Sequence, residues 1–300
     1  MKLINYITIV SLLIGAASCE DVRFGDAFLE KPAGSDDNID LVFSCKEYAE
    51  QALVAAYKTL PDGLIMPSQN LTGDLLESLT DLNNGTKGYG PIRNVFYPGQ
   101  LTAATQGNFQ KYNFSNGGGW ESIRRAWIFI ENVDRVPDMT QQEKEVRKAE
   151  AKMIIAIQYA DMFRHFGGLP KIDRSYSPNE QVELPRMTVE ENVRFITDLL
   201  DEAAKVLPWT VSSDNDGRMT KAGAMGLKVR VLLFAASPIF NADVPYTNSE
   251  ATEKHYLWYG NKIDERWNDV INAANAFLEE LNVNGGYKLV NTGNTREDFR

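Results

Sequence analysis

The sequence predicts an all-α fold assembled from paired helices, with one long irregular stretch set among them. Three observations carry this. Apolar residues recur every three or four positions at Val146, Ala149, Met153, Ile154, Ile157, Ala160 and Phe163, which lays one stripe along a helix. Two boxes, Thr140 with Glu143 and Thr188 with Glu191, precede periodic runs, and this spacing satisfies orphan amides at a helix start. Each run then ends on residues that cannot continue a helix: Pro137, Gly167-Gly168 with Pro170, Pro208, and Ser237-Pro238.

The elements follow in order. Residues 45–60 form a first helix with Tyr48, Ala52, Ala55, Ala56 and Leu60 on one side. Residues 61–119 are irregular, rich in glycine, asparagine and tyrosine. So long an excursion inside a helical protein is uncommon unless it has a task, and its aromatics argue against disorder. A second helix from Trp120 to about Val136 turns Ile123, Ala126, Trp127, Ile130 and Val133 inward. The long helix opened by Thr140 follows, then the Thr188 helix with Ile196, Leu199, Ala203 and Val206. Residues 212–217 make a turn. The next helix, from Lys221 to about Ala236, is nearly all apolar or small and is expected to be buried on several sides. A last helix spans Trp267 to about Leu281. Pairs of helices with small residues at packing positions suggest a hairpin array of the tetratricopeptide type, although no fixed repeat period is clean.

Residues 1–18 stand apart. Lys2 precedes a short apolar run at residues 4–14, and Ala16, Ala17 and Ser18 lead to Cys19. The run is shorter than the roughly 20 residues a membrane span needs, so a cleaved signal peptide fits. Small residues ending in cysteine resemble a bacterial lipobox, in which Cys19 becomes an acylated (palmitate-type) first residue. Each buried methylene of such a chain contributes about 0.8 kcal/mol to anchoring. Residues 19–40 read as a lipidated tether, with Glu20 and Asp21 directly after the cysteine. Residues 41–300 form the helical domain.

The 300 residues are enough for a sizeable core, and 43% apolar with 24% charged residues is ordinary for a globular chain. A net charge of −10, with no Lys/Arg run, argues against a nucleic-acid or anionic-membrane partner, because phosphate binding needs a basic face. Of the two cysteines, Cys45 has no partner if Cys19 is acylated, and is expected as a small buried hydrophobe. His165 and His255 lack ligands at metal spacing, and His165 suits a helix end. The Asp214-Asn215-Asp216-Gly217 run lacks the later glutamate of a calcium loop and reads as a turn. No GxSxG elbow, P-loop, Rossmann fingerprint or HExxH motif occurs, so no catalytic residue, cofactor or metal is assigned. A glycosidase needs only two placed carboxylates, and nothing in the spacing of the 41 acidic residues recommends a pair.

Four blocks resemble the SusD/RagB family of nutrient-binding outer-membrane lipoproteins, in the family's order. They are FLEKP with KEYAEQALVAAYKTL; WESIRRAWIFIENVDRVP; AEAKMIIAIQYADMFRHFGGLPKI; and LPR at residues 184–186 with DLLDEAAKVLP and GRMTKAGAMGLKVRVLLFAASPIFN. The resemblance implies tetratricopeptide-like helical pairs against which a looped region packs. It implies a surface protein that sits on a TonB-dependent, SusC-like porin and hands it oligosaccharide, or peptide in the RagB branch. Where the family often has an arginine in the long helix, this chain has Ile155. Family members usually run longer, so the C-terminal part of the family fold is expected to be missing here. Alternatives are a scaffold whose ligand is the transporter alone, and a surface glycoside hydrolase.

Sugars are held by aromatic rings stacked on their C–H faces while amides, acids and guanidinium groups take the hydroxyls. Residues 61–119 offer that mixture, and the candidate ligand contacts are Asn84, Tyr89, Arg93, Asn94, Tyr97 and Tyr112. Trp127, at helical spacing, is expected in the core. The lipid assignment makes a direct prediction: Cys19→Ala should move the protein from the membrane fraction to the soluble fraction, and firm attachment of that variant would refute it.

Overall fold

A computed structural model of the protein describes residues 39–60, 118–177 and 180–294. Among these residues the backbone is helix and connection, with no strand and one isolated antiparallel bridge between Pro170 and Arg186. The chain divides after Val42 into two units. Of the first, the single helical turn Ile39–Val42 is described. The second contains, among the described residues, six helices of twelve residues or more. They are α1 (Lys46–Tyr57), α2 (Gly118–Asn132), α3 (Gln141–Phe166), α4 (Val189–Ala204), α5 (Lys221–Ala235) and α6 (Glu265–Asn284).

Each helix packs on its successor, and α3 also touches both α1 and α5. Side-chain pairs fix the directions. Lys46 with Glu143 at 2.5 Å and Glu50 with Arg147 at 2.6 Å climb α1 and α3 in the same order, so these helices run parallel. Lys148 pairs with Asp134 just after α2, whereas Gln158 bonds Ser122 near its start, so α2 runs the other way. Lys152 with Glu202 and Tyr159 against Phe195 reverse α4 in the same manner. Alternating direction, with contacts to the next helix and the next but one, is the packing of a tetratricopeptide-like array. The expected all-α hairpin architecture is therefore the observed one.

Local chemistry explains the helix starts. Both capping boxes form: the Thr140 hydroxyl accepts from the Glu143 amide while Glu143 accepts from the Thr140 amide, and Thr188 with Glu191 repeats the arrangement. Glu143 also takes the Lys46 ammonium, and that bond, with the Thr140 bonds, lowers its pKa to about 2. Thr220 caps α5 by accepting from the Gly223 amide.

Burial revises five expectations. The α3 helix does not bury one stripe: Ala149, Glu150, Ala151, Met153, Ile154, Ile155, Ala156, Gln158, Tyr159, Ala160 and Phe163 are all enclosed, because neighbours cover it on several sides. On α1 the inward row is Ala49, Leu53 and Ala56, and Tyr48 is exposed, since the contact with α2 and α3 falls one residue round the helix from the expected face. The α5 helix, expected to be enclosed, buries only Ala222, Ala224, Val231 and Ala235, and Leu233 is exposed. Cys45 is only half-buried, because it stands just ahead of α1 in extended conformation. Trp127 is likewise half-buried, its indole N–H donating to the Ile172 carbonyl.

Polar groups inside α3 are satisfied by a network at its N-terminal half. Glu150, 1% exposed, accepts from Arg147 at 2.7 Å, from Arg218 at 2.9 Å and from the Tyr57 hydroxyl at 2.8 Å. Glu50 accepts from the same two guanidinium groups. The Tyr57 oxygen in turn accepts from the Met219 amide. Two acids and two bases thus cancel, tying α1, α3 and the approach to α5 together. Removing one partner of such a buried set leaves charge uncompensated, at about 3–5 kcal/mol. Glu150→Ala should therefore lower unfolding stability by about that amount in urea titrations. Burial pushes the Glu50 carboxyl up, but hydrogen bonds and charge from Arg147 and Arg218 outweigh burial and hold it below its ordinary 4.5. A depressed acid stabilises the fold above its unfolded value and loses that contribution as pH falls through the folded one. Stability should accordingly decline as pH drops below 4.5, and Glu50→Gln should flatten that limb in pH-dependent melts.

Candidate functional site

Because neighbouring helices alternate in direction, the connections fall at two ends of the array. One end has the shorter links, residues 133–140 and 205–220; the other has residues 167–188 and 236–264 and the two described stems that flank residues 61–117. The second end is the candidate site. The residues proposed from sequence, Asn84, Tyr89, Arg93, Asn94, Tyr97 and Tyr112, lie outside the described residues, as does Cys19. What the structure places is the foundation from which residues 61–117 leave and to which they return.

That foundation is a buried polar clamp. The Thr59 hydroxyl bonds Ser122 at 2.6 Å and donates to the Ala56 carbonyl, while the Gln158 amide donates to the Thr59 carbonyl at 2.8 Å and to Ser122 at 3.1 Å. Ser122 and Gln158 are buried, so these bonds are shielded from competing water. The end of α1 and the start of α2 are thus pinned to the middle of α3. Beside the clamp, Trp120 stands edge-on to Tyr159 at 6.1 Å, and Tyr159 edge-on to Phe195 at 5.0 Å. Lys171 lies over the Phe195 ring at 5.4 Å. Burial raises the pKa of Tyr159, whose hydroxyl donates to the Pro170 carbonyl and accepts from the Ile172 amide.

The second connection explains the paired glycines and the Leu184-Pro185-Arg186 motif. Gly167 has φ 72° and ψ −141°, a region that glycine alone enters without strain. A Cβ on Gly167 would lie 2.2 Å from the Tyr256 carbonyl oxygen, and one on Gly168 would lie 1.9 Å from that of Met187. The pair is there for close backbone passage as much as for a helix stop. Arg186 caps the exit: its guanidinium donates to the Phe166 and Gly168 carbonyls and lies over the Tyr256 ring at 5.0 Å. Asn192, fully buried in α4, accepts from the Leu169 amide.

The third connection closes onto the second. His255 takes φ 56°, and the successive carbonyls of His255 and Tyr256 accept from the Val189 and Gly168 amides. Phe240 stacks on Phe163 at 4.8 Å, with Phe234 edge-on to both. Buried Asn241 bonds the Ile263 amide and carbonyl and accepts from Arg266, so both ends of the loop are held together. Burial raises the Tyr259 pKa to about 12, with Arg266 over its ring at 3.7 Å. From this braced base projects Tyr246, 91% exposed, with Val244 beside it in sequence and Thr247 and Asn248 following.

A ring that water covers so fully, on a loop so well anchored, has no packing role and suits stacking on a ligand. Sequence reasoning passed over Tyr246, although Val244-Pro245-Tyr246-Thr247-Asn248 has the aromatic-and-amide mixture that drew attention to residues 61–119. Among the described residues no group of three or more acidic, histidine or cysteine side chains is placed to hold a metal ion. His165 sits in the last turn of α3, as expected. Gly168→Ala should prevent the backbone from passing Met187, and the expected outcome is loss of folded protein or a large fall in melting temperature; an unchanged melt would contradict the close approach.

A family profile described as starch-binding and associating with the outer membrane matches residues 29–233. The fold is that of solved SusD-like proteins. One from Bacteroides fragilis superposes with a TM-score of 0.59 at 19% identity, covering 84% of this chain and 40% of its own. The structure named BT4246 gives 0.63 at 23% identity, covering 82% and 41%. A SusD homologue of Bacteroides thetaiotaomicron gives 0.55 at 21% identity, covering 82% and 42%. The chain thus spans about two fifths of the length of these structures. No curated protein matches it. With the profile covering most of the chain and the helical array matching in three dimensions, this protein belongs to the SusD-like family.

Proposed function

We propose that this protein is a cell-surface lipoprotein that captures an oligosaccharide at the loop-bearing end of its helical array and passes it to a TonB-dependent transporter. One observation carries the reading. The described stems of residues 61–117 and the connections 167–188 and 236–264 lie at one end of the array on a rigid foundation, and residues 236–264 present Tyr246 to solvent. A carbohydrate site needs that combination of rigid aromatic area and nearby polar groups. Family membership supports the ligand class, since the matching profile is described as starch-binding. The same description associates the family with the outer membrane, and Cys19 supplies the anchor in this reading. No helix of the described residues is long and apolar enough to cross a membrane. The ligand is bound without chemistry: stacking and hydrogen bonding hold it, and no residue is assigned to cleave it.

Isothermal titration against a panel of oligosaccharides tests the proposal. Binding of at least one glycan is expected, and Tyr246→Ala should weaken it about three- to tenfold while Tyr246→Phe retains it. Release of reducing ends from polysaccharide by the purified protein would replace capture with hydrolysis. Folded protein that ignores every glycan would overturn the reading, and binding of peptides in their place would point to the RagB branch.

A further inference from the structure

The connection of residues 167–188 carries three cations, Lys171, Arg174 and Arg186. Two of them are committed within the fold. Arg174 pairs with Glu180, and Arg186 is spent on the Phe166 and Gly168 carbonyls. Lys171 is exposed, and among the described residues no carboxylate pairs with it. Its ammonium lies instead over the Phe195 ring, 5.4 Å from the centroid. An exposed lysine without an acid is unremarked when its backbone can wander, but this backbone cannot.

The peptide groups on both sides of Lys171 are pinned to the array. The hydroxyl of buried Tyr159 donates to the Pro170 carbonyl at 2.7 Å and accepts from the Ile172 amide at 2.8 Å. The Trp127 indole donates to the Ile172 carbonyl at 3.0 Å. Trp120 and Phe195 stand edge-on to Tyr159, and each is half-buried, so part of each ring meets solvent. Trp120 comes just after residues 61–117 in the chain. On the α2 side of the same connection, exposed Arg124 donates to the Tyr176 carbonyl at 3.4 Å and pairs with no described carboxylate. The loop-bearing end thus holds a ledge of rings with uncompensated positive charge fixed upon it.

We propose that Lys171 is the anion-recognising residue of the oligosaccharide site, so that the captured glycan carries a carboxylate or sulfate group. This deepens the function proposed above and rests on it. An ammonium offers three donors and no acceptor, and its bonds to an anion are about twice as strong as those between neutral groups. Uncharged sugar hydroxyls are served as well by amides and would leave the charge uncompensated. The ring beneath the ammonium and the pinned backbone reduce the freedom that a ligand would otherwise have to order. The net charge of −10 opposes such a contact little, because exposed charges are screened beyond about 8 Å at physiological ionic strength.

Titration calorimetry on the full chain tests this with neutral, uronic-acid and sulfated oligosaccharides of matched length. The tightest ligand is expected among the acidic ones, and the uronic-acid and sulfated members tell which anion is read. Lys171→Gln should weaken that ligand about tenfold and change neutral glycans less than about twofold, whereas Lys171→Arg should retain most of the affinity. Raising sodium chloride from about 50 to about 500 mM should weaken the acidic ligand more in the unsubstituted chain than in Lys171→Gln. Neutral glycans bound with acidic ones refused, or an acidic ligand indifferent to Lys171→Gln, would overturn the assignment and leave glycan capture standing. Folded protein that binds no glycan would remove both. Lys171 is exposed, so the glutamine variant should melt with the parent. If its melt falls, the salt series on the unsubstituted chain decides: acidic ligand held equally at both salts overturns the proposal.

Discussion

Enclosure of α3 is the constraint on which the other features depend. A helix covered on several sides cannot leave a polar group without a partner, and α3 contains both Glu150 and Gln158 among its buried residues. Each of them therefore recruits groups from distant segments. Glu150 draws in Tyr57, Arg147 and Arg218; Gln158 draws in Thr59 and Ser122. The first set ties the C-terminal end of α1 and the approach to α5 to the N-terminal half of α3, and the second pins the two stems of the long excursion. Stability and placement of the loops thus rest on the same helix.

The exit of α3 imposes a second requirement of the same kind. Buried carbonyls at a helix end need donors, and Arg186 supplies two bonds where no backbone amide is available. Backbone from the second and third connections converges on Gly167 and Gly168, within distances that exclude any side chain there. The glycine pair, the Leu184-Pro185-Arg186 motif and the phenylalanines flanking Ser237-Pro238 are, on this account, parts of one junction. These motifs secure the foundation, and Tyr246 projects from it into solvent. That division suits a binding protein, since a rigid base lowers the ordering cost of presenting a ring such as Tyr246.

Much of this was legible from the chain alone, for a physical reason: caps, stops and apolar periodicity act over four or five residues. The Thr140 and Thr188 boxes, the stop at Gly167, and the succession of helices are local matters and were read from sequence. So was the family, through blocks whose order the profile match over residues 29–233 supports. Which face each helix buries depends on where its neighbours lie. Hence Tyr48 turned outward, α3 was enclosed beyond its stripe, and α5 was left partly open. The Glu50–Arg147–Glu150–Arg218 network links positions up to 168 residues apart, and no local pattern announces it. The exposure of Tyr246 was likewise decided only in three dimensions, because solvent access is a property of the packed molecule and of no segment by itself.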